Sequence, residues 1–276
     1  MLILGIESSS LVASAAVLSE EKLIAEYTVN NAMTHSQTLM PMIDSVMKSA
    51  GKEPEELDAI AISRGPGSFT GLRIGSATAK GMGLALNKPL VEVPTLAAMA
   101  YNLYGITDRI ICPIMDARRS EVYSGAYVFV ADGTENVDEG NISDNSCDNR
   151  NDSETGDNKG ITAARESAYS LREILKENAG PVEELIEKLN SLIEGSAGKY
   201  RGVIFLGDGV PPYRQIVSEK MTVEHSFAPE YLLRQRAAAV AALGLDMYRQ
   251  GKAVPADDHA PVYLRMSQAE REAAKR

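Results

Sequence analysis

The sequence predicts an α/β protein of two lobes, each a mixed β-sheet flanked by helices. Three observations predict it. Short apolar runs alternate with longer stretches of helical periodicity, the pattern of sheets covered by helices. Two of those runs open a half of the chain and end in an acid: Leu2–Ile6 before Glu7, and Ile110–Met115 before Asp116. A third run, Val203–Leu206, leads into Gly207-Asp208-Gly209. Such repetition suggests two related lobes, with the division placed between residues 105 and 106 and the C-terminal segment expected to pack back on the first lobe.

Taken in order, Leu2–Ile6 reads as a buried strand that turns at Ser8-Ser9-Ser10. Val12–Leu18 and Leu23–Val29 follow as strands separated by turn residues. Leu39, Met42, Ile43, Val46, Met47 and Ala50 then keep the i, i+3, i+4 spacing of a helix. Pro41 is expected near its start, where a missing N–H is tolerated. Met33, Met40, Met42 and Met47 suit either an adaptable contact surface or ordinary core packing. Next come a strand at Ala59–Ile62, a helix from Gly71 to Leu86 and a short strand at Pro89–Val93. The second half continues with a strand at Glu121–Val130 and helices at Val182–Ile193 and Glu230–Gln250.

The segment Ser63-Arg64-Gly65-Pro66-Gly67-Ser68-Phe69-Thr70-Gly71-Leu72-Arg73-Ile74-Gly75 is the most particular part of the chain. A strand, a glycine turn and a helix N-terminus make a ready anion-binding geometry. The spacing fits neither common phosphate motif. Leu72 and Arg73 stand where a Walker loop needs Lys and Ser/Thr, and the glycines do not run G-x-G-x-x-G. Gly71, Gly75, Ala79 and Gly83 fall on one helix face. Helical glycine costs up to about 1 kcal/mol relative to Ala, so the stripe implies close approach of a partner helix or of this protein's own sheet.

Composition narrows the functional class. With 276 residues, 44% of them hydrophobic, the chain can bury a substantial core. No apolar run is long enough to span a membrane, and the start lacks a signal-like pattern, so a cytoplasmic location is expected. Cys112 and Cys147 are isolated, which argues against a disulfide framework or a zinc cluster. The formal charge of -10 disfavours broad nonspecific nucleic-acid binding. Nine acidic and two basic side chains lie within residues 132–160, so the remainder of the molecule is close to neutral. That stretch is expected to be a disordered acidic insertion, because it has too few large apolar residues to offset its ordering entropy. Its two glycosylation sequons, at Asn141 and Asn151, carry little weight without a secretory signal.

Three elements together resemble the phosphate-loop strands and adenosine-side glycine turn of the actin-like ATPase, sugar kinase and Hsp70 superfamily. They are Leu4-Gly5-Ile6-Glu7-Ser8-Ser9-Ser10, Ile114-Met115-Asp116-Ala117-Arg118-Arg119 and Phe205-Leu206-Gly207-Asp208-Gly209. Within that superfamily the chain resembles the TsaB family. The glycine turn carries this resemblance, with Asp116-Ala117-Arg118-Arg119, Glu121-Val122-Tyr123 and Pro261-Val262-Tyr263-Leu264-Arg265. The resemblance implies two actin-like lobes and a non-catalytic subunit of the machinery that places threonylcarbamoyl on adenosine 3′ of the anticodon. It implies a heterodimer with the catalytic paralogue TsaD, the ATPase TsaE as a further partner, tRNA reached through the complex, and a homodimer when alone. The implied interface comprises Leu39, Met42, Ile43, Val46, Met47, Gly71, Gly75, Ala79 and Gly83. A weak nucleotide site at Glu7, Ser8, Ser9, Asp116, Gly207, Asp208 and Gly209 is implied too, with ATP and magnesium bound at the level of the complex. The resemblance implies that this chain needs no cofactor or metal of its own.

TsaD carries an H-x-x-x-H metal motif after the strand that follows the glycine helix. Here Thr95 and Met99 occupy those positions, and neither replaces an imidazole. Glu7, where many TsaB members have Asp, follows the paralogue's habit. An actin-like enzyme acting alone is the alternative, either a small-molecule kinase or a glycoprotease-like hydrolase. The hydrolase lacks H-E-x-x-H and G-x-S-x-G motifs, and Ser68 reads better as a helix cap than as a nucleophile. A kinase would draw on Glu7 and Asp116 to hold magnesium, although both also suit strand-end turns.

Overall fold

The computed structural model describes residues 1–31, 34–132 and 168–265. Met33, both sequons and all of the expected insertion except Asp132 lie outside the described residues. The first lobe comprises β1 (Leu2–Glu7), β2 (Val12–Ser19), β3 (Leu23–Asn30), α1 (His35–Ala50), β4 (Ala59–Gly65), α2 (Phe69–Leu86) and β5 (Leu90–Pro94). A short helix, α3 (Thr95–Ala100), leads to β6 (Ile110–Asp116), β7 (Glu121–Ala131) and β8 (Tyr169–Pro181). Then follow α4 (Val182–Glu194), β9 (Val203–Leu206), α5 (Val210–Lys220), β10 (His225–Phe227), α6 (Glu230–Leu233), α7 (Ala237–Arg249) and β11 (Ala253–Val254).

Two mixed sheets result, ordered β11-β5-β4-β1-β2-β3 and β10-β9-β6-β7-β8. In the first, β1 is antiparallel to β2 and parallel to β4. Strand alternation sends Leu4 and Ile6 of β1 to a core shared with Leu39, Ile43 and Val46 of α1. Ile3 faces the other way, toward Val240, Ala241 and Leu245 of α7. The first sheet is therefore covered on one face by α1 and α2 and on the other by a helix from the end of the chain. In the second sheet β6 is parallel to β9 and antiparallel to β7, with α4 packed alongside.

Three expectations need correction. Pro41 lies well inside α1, not near its start. It is tolerated on the solvent side of the helix, where the Ser45 hydroxyl donates to its carbonyl at 2.7 Å. The single helix expected over Glu230–Gln250 is two, because Arg234 and Arg236 adopt extended backbone. That break turns Gln235 inward, where its Oε1 accepts a hydrogen bond from Ser10 Oγ at 3.0 Å. Finally, β8, α5 and the edge strands β10 and β11 are additions to the expected set.

Candidate functional site

Three strand ends converge where the lobes meet. β1 delivers Glu7, fully buried, whose Oε1 accepts the Ser9 N–H at 2.5 Å. Burial pushes the Glu7 carboxyl above the usual carboxylate range, against the opposing pull of hydrogen bonds from Ser9 and Ser63. β6 delivers Asp116, which accepts the Arg118 N–H at 2.8 Å and the Tyr213 hydroxyl at 3.3 Å. The Arg118 guanidinium stands 3.5 Å from the same carboxylate. β9 runs into Gly207, whose φ of 113° and N–H bond to Leu233 reverse the chain and present Asp208. Burial raises the Asp208 carboxyl as well, and the charge of Arg234 opposes that rise. Asp208 Oδ1 is buried and has no hydrogen-bond partner.

Ser9, Asp116 and Asp208 thus line one cleft of about 310 Å³. The other expected nucleotide-site residues stand behind its walls. Ser8 Oγ donates to the Gly71 carbonyl at 2.9 Å, and Gly209 N–H bonds to Ile114. Glu7 and Gly207 likewise serve the strand ends instead of lining the opening. An acidic pair with one unpartnered oxygen fits a magnesium-bound phosphate better than a bare anion. The glycine turn itself is engaged within the protein. Ser68 N–H bonds to Ser9 at 2.6 Å, and Ser68 Oγ caps α2 by accepting Gly71 N–H at 3.3 Å. These two donors are not available to a phosphate, which corrects the anion-binding reading of this turn.

The far end of the chain supplies cleft residues to which sequence reasoning gave no role. Residues 261–265 cross the opening as a strap. Val262 N–H donates to Arg64 at 2.7 Å in the first lobe. Arg265 donates to the Ala117 carbonyl at 2.7 Å and pairs with Glu121 at 2.8 Å in the second. Between them the Tyr263 ring lies 4.9 Å from that of Phe69. An aromatic and a cation close together near the end of the sequence are the available signal, but nothing local fixes where they pack.

The residues expected to form a partner interface are instead interior. Leu39, Met42, Ile43, Val46 and Met47 fill the first-lobe core. Gly71, Gly75, Ala79 and Gly83 are buried too, and a Cβ on Gly75 would stand 2.1 Å from Ser8 Oγ. The stripe therefore serves close packing against the turn after β1, β4, the start of β5 and Ala256, not a partner helix. Thr95 and Met99 are buried as well. On another side of the junction between the lobes lies a larger cavity of about 980 Å³. Two hydrogen bonds join groups of its wall, Tyr127 donating to Glu177 at 2.8 Å and Tyr101 to Asp246 at 2.9 Å, and Arg64, Lys176 and Lys252 line it too.

Comparison with known proteins extends this picture. The family model described as TsaD, tRNA N6-adenosine threonylcarbamoyltransferase, matches residues 22–273. The tRNA threonylcarbamoyladenosine biosynthesis protein TsaB of Bacillus subtilis (strain 168) is 38% identical over 129 residues, 47% of this chain and 56% of that protein. TsaB of Escherichia coli (strain K12) is 35% identical over 130 residues, covering 46% and 55% respectively. The chain spans about half the length of the curated relatives it matches. The solved structure of YeaZ from Pseudomonas aeruginosa shares the fold, with a TM-score of 0.68 over 95% of this chain and 99% of that one, at 24% identity. A family match across nearly the whole chain, with relatives that bear the TsaB name, decides the matter: the chain belongs to the tRNA N6-adenosine threonylcarbamoyltransferase family, as a member of its TsaB branch.

Proposed function

We propose that this chain is a non-catalytic subunit in the biosynthesis of N6-threonylcarbamoyladenosine in tRNA, and that it docks on a TsaD-type catalytic paralogue. The family match supports the pathway. The observation that carries the docking role is the outer face of α1 and α2. Met40 is 50% and Leu84 53% exposed there, beside Pro41 and Ala77. Gly81 lies on the same face, with nothing within 4 Å of where its Cβ would stand. Apolar and small side chains in a helical row suit a second pair of helices laid against them. The same face pairs two copies when the paralogue is missing. TsaE and tRNA join at the level of the complex, and ATP with magnesium binds there, with Asp116 and Asp208 as the acids this chain offers to the metal.

The test is reconstitution with the TsaD and TsaE proteins of the same organism. Mass spectrometry of digested tRNA should detect threonylcarbamoyladenosine only when this chain and the paralogue are both present. Modification by this chain alone would overturn the non-catalytic assignment. Undiminished modification in its absence would overturn the role altogether.

A further inference from the structure

We infer that the mouth of the interlobe cleft is a contact surface for single-stranded RNA. For its biological ligand the inference rests on the proposed role in tRNA modification; its geometry stands apart from that role. On the first-lobe rim the Arg73 guanidinium lies 3.9 Å over the Phe69 ring, and its Nε donates to the Tyr263 hydroxyl at 3.4 Å. Phe69 and Tyr263 pack with their rings tilted by 39°, and Tyr263 remains 38% exposed. Leu11, 65% exposed, lines the same opening. On the second-lobe rim the side chain of Arg118 is 81% exposed. Arg118, Arg119 and Ser120 all have positive φ, in a turn closed by the Glu121 N–H bond to Arg118. Among the described residues, neither Arg73 nor Arg119 forms an ion pair.

These features fit one ligand chemistry. Unpaired bases stack on aromatic rings and guanidinium planes, while arginines without carboxylate partners take the phosphates. The rim offers a stacked platform on one side and cations on the other, across an opening of about 310 Å³. A single splayed base can stack on such a rim beside the strap, whereas a duplex presents its bases already stacked and paired. The charge of the molecule points the same way. In a chain of formal charge -10, Arg73 and Arg119, the two arginines beside this mouth without an ion pair among the described residues, are a local exception. They would confine RNA contact to that place, although Arg118 and Arg265 are held by Asp116 and Glu121.

The probe is a fluorescently labelled single-stranded RNA oligonucleotide, titrated with the full chain at low salt and followed by anisotropy. Thermal melts establish that each variant is folded. Arg119→Glu should weaken binding by about fivefold or more and flatten the salt dependence by roughly one counterion. Tyr263→Ala should weaken it by about fivefold or more through lost stacking, while Tyr263→Phe retains most of it. Binding by a matched RNA duplex should be weaker, and excess ATP with magnesium should leave the single strand bound. The inference fails if the wild-type chain does not bind, if both substitutions leave affinity unchanged, if duplex binds equally, or if ATP displaces the RNA completely. The reconstituted modification reaction separates the two levels. An active complex with an oligonucleotide affinity insensitive to these substitutions defeats the rim assignment alone. An inactive complex whose chain still binds RNA through Arg119 and Tyr263 defeats only the proposed role.

Discussion

At the scale of single residues, burial decides what Glu7 and Gly75 contribute. The Glu7 carboxyl is raised in the folded protein chiefly by desolvation, and Asp208 is raised for the same reason. An acid with a raised folded pKa stabilises the fold below its unfolded value, and that stability is lost as pH rises through the folded value. Stability should therefore decline above about pH 4.5, the ordinary glutamate value, until both groups have ionised. Glu7→Gln keeps an acceptor for Ser9 N–H and removes the charge, so urea denaturation across that range should show a flatter profile and a more stable protein at neutral pH. Gly75 makes the opposite point. Ser8 Oγ, which any Cβ there would strike, is held by its bond to Gly71. Gly75→Leu should cost about 1–3 kcal/mol or more and melt early, without first dissociating a dimer. The stripe of glycines was legible in the sequence as a demand for close approach. What approaches was not, because a partner backbone and the protein's own β1 turn ask for the same small residues.

At the scale of elements, periodicity revealed α1 and α2 but not which side faces outward. The buried side of α1 carries the stronger apolar stripe, so reading apolar as interface selected the core. The outer face is weaker in pattern and is visible only after packing. Gly81→Glu tests it: the substitution should raise helix propensity by up to about 1 kcal/mol, leave the melt unchanged or higher, and abolish association with the paralogue by light scattering. A variant that still associates would remove α2 from the interface. β8 escaped detection for a different reason. Tyr169 and Leu171 follow a two-residue period, but Ile174 and Leu175 do not. Irregularities in its pairing with β7, around Ala126, change the phase of the strand partway along. The strap is a third case, with tertiary anchors only. Arg265→Ala should lower stability by about 1–2 kcal/mol in urea denaturation, since it removes a bond to Ala117 and a half-shielded pair with Glu121.

At the scale of the whole molecule, the two-lobe architecture was legible because apolar strands that end in acids open both halves. Within the described residues, Asp132 N–H bonds to the Ala168 carbonyl at 3.0 Å and closes the β7–β8 hairpin. Replacing residues 133–167 with a short Gly/Ser turn leaves that closure intact, so the melting temperature should stay within a few degrees. A larger fall would show that the segment contributes to the fold. The lobes also differ in how their parts are distributed along the chain. All five strands of the second sheet lie between Ile110 and Phe227. The first sheet draws its covering helix α7 and its edge strand β11 from residues after 236. During synthesis the ribosome therefore releases the second lobe complete while one face of β1, β4 and β5 is still bare. The lobe whose β1 precedes every strand of the second sheet is thus the last to finish, and in the interval its bare sheet face is exposed apolar surface.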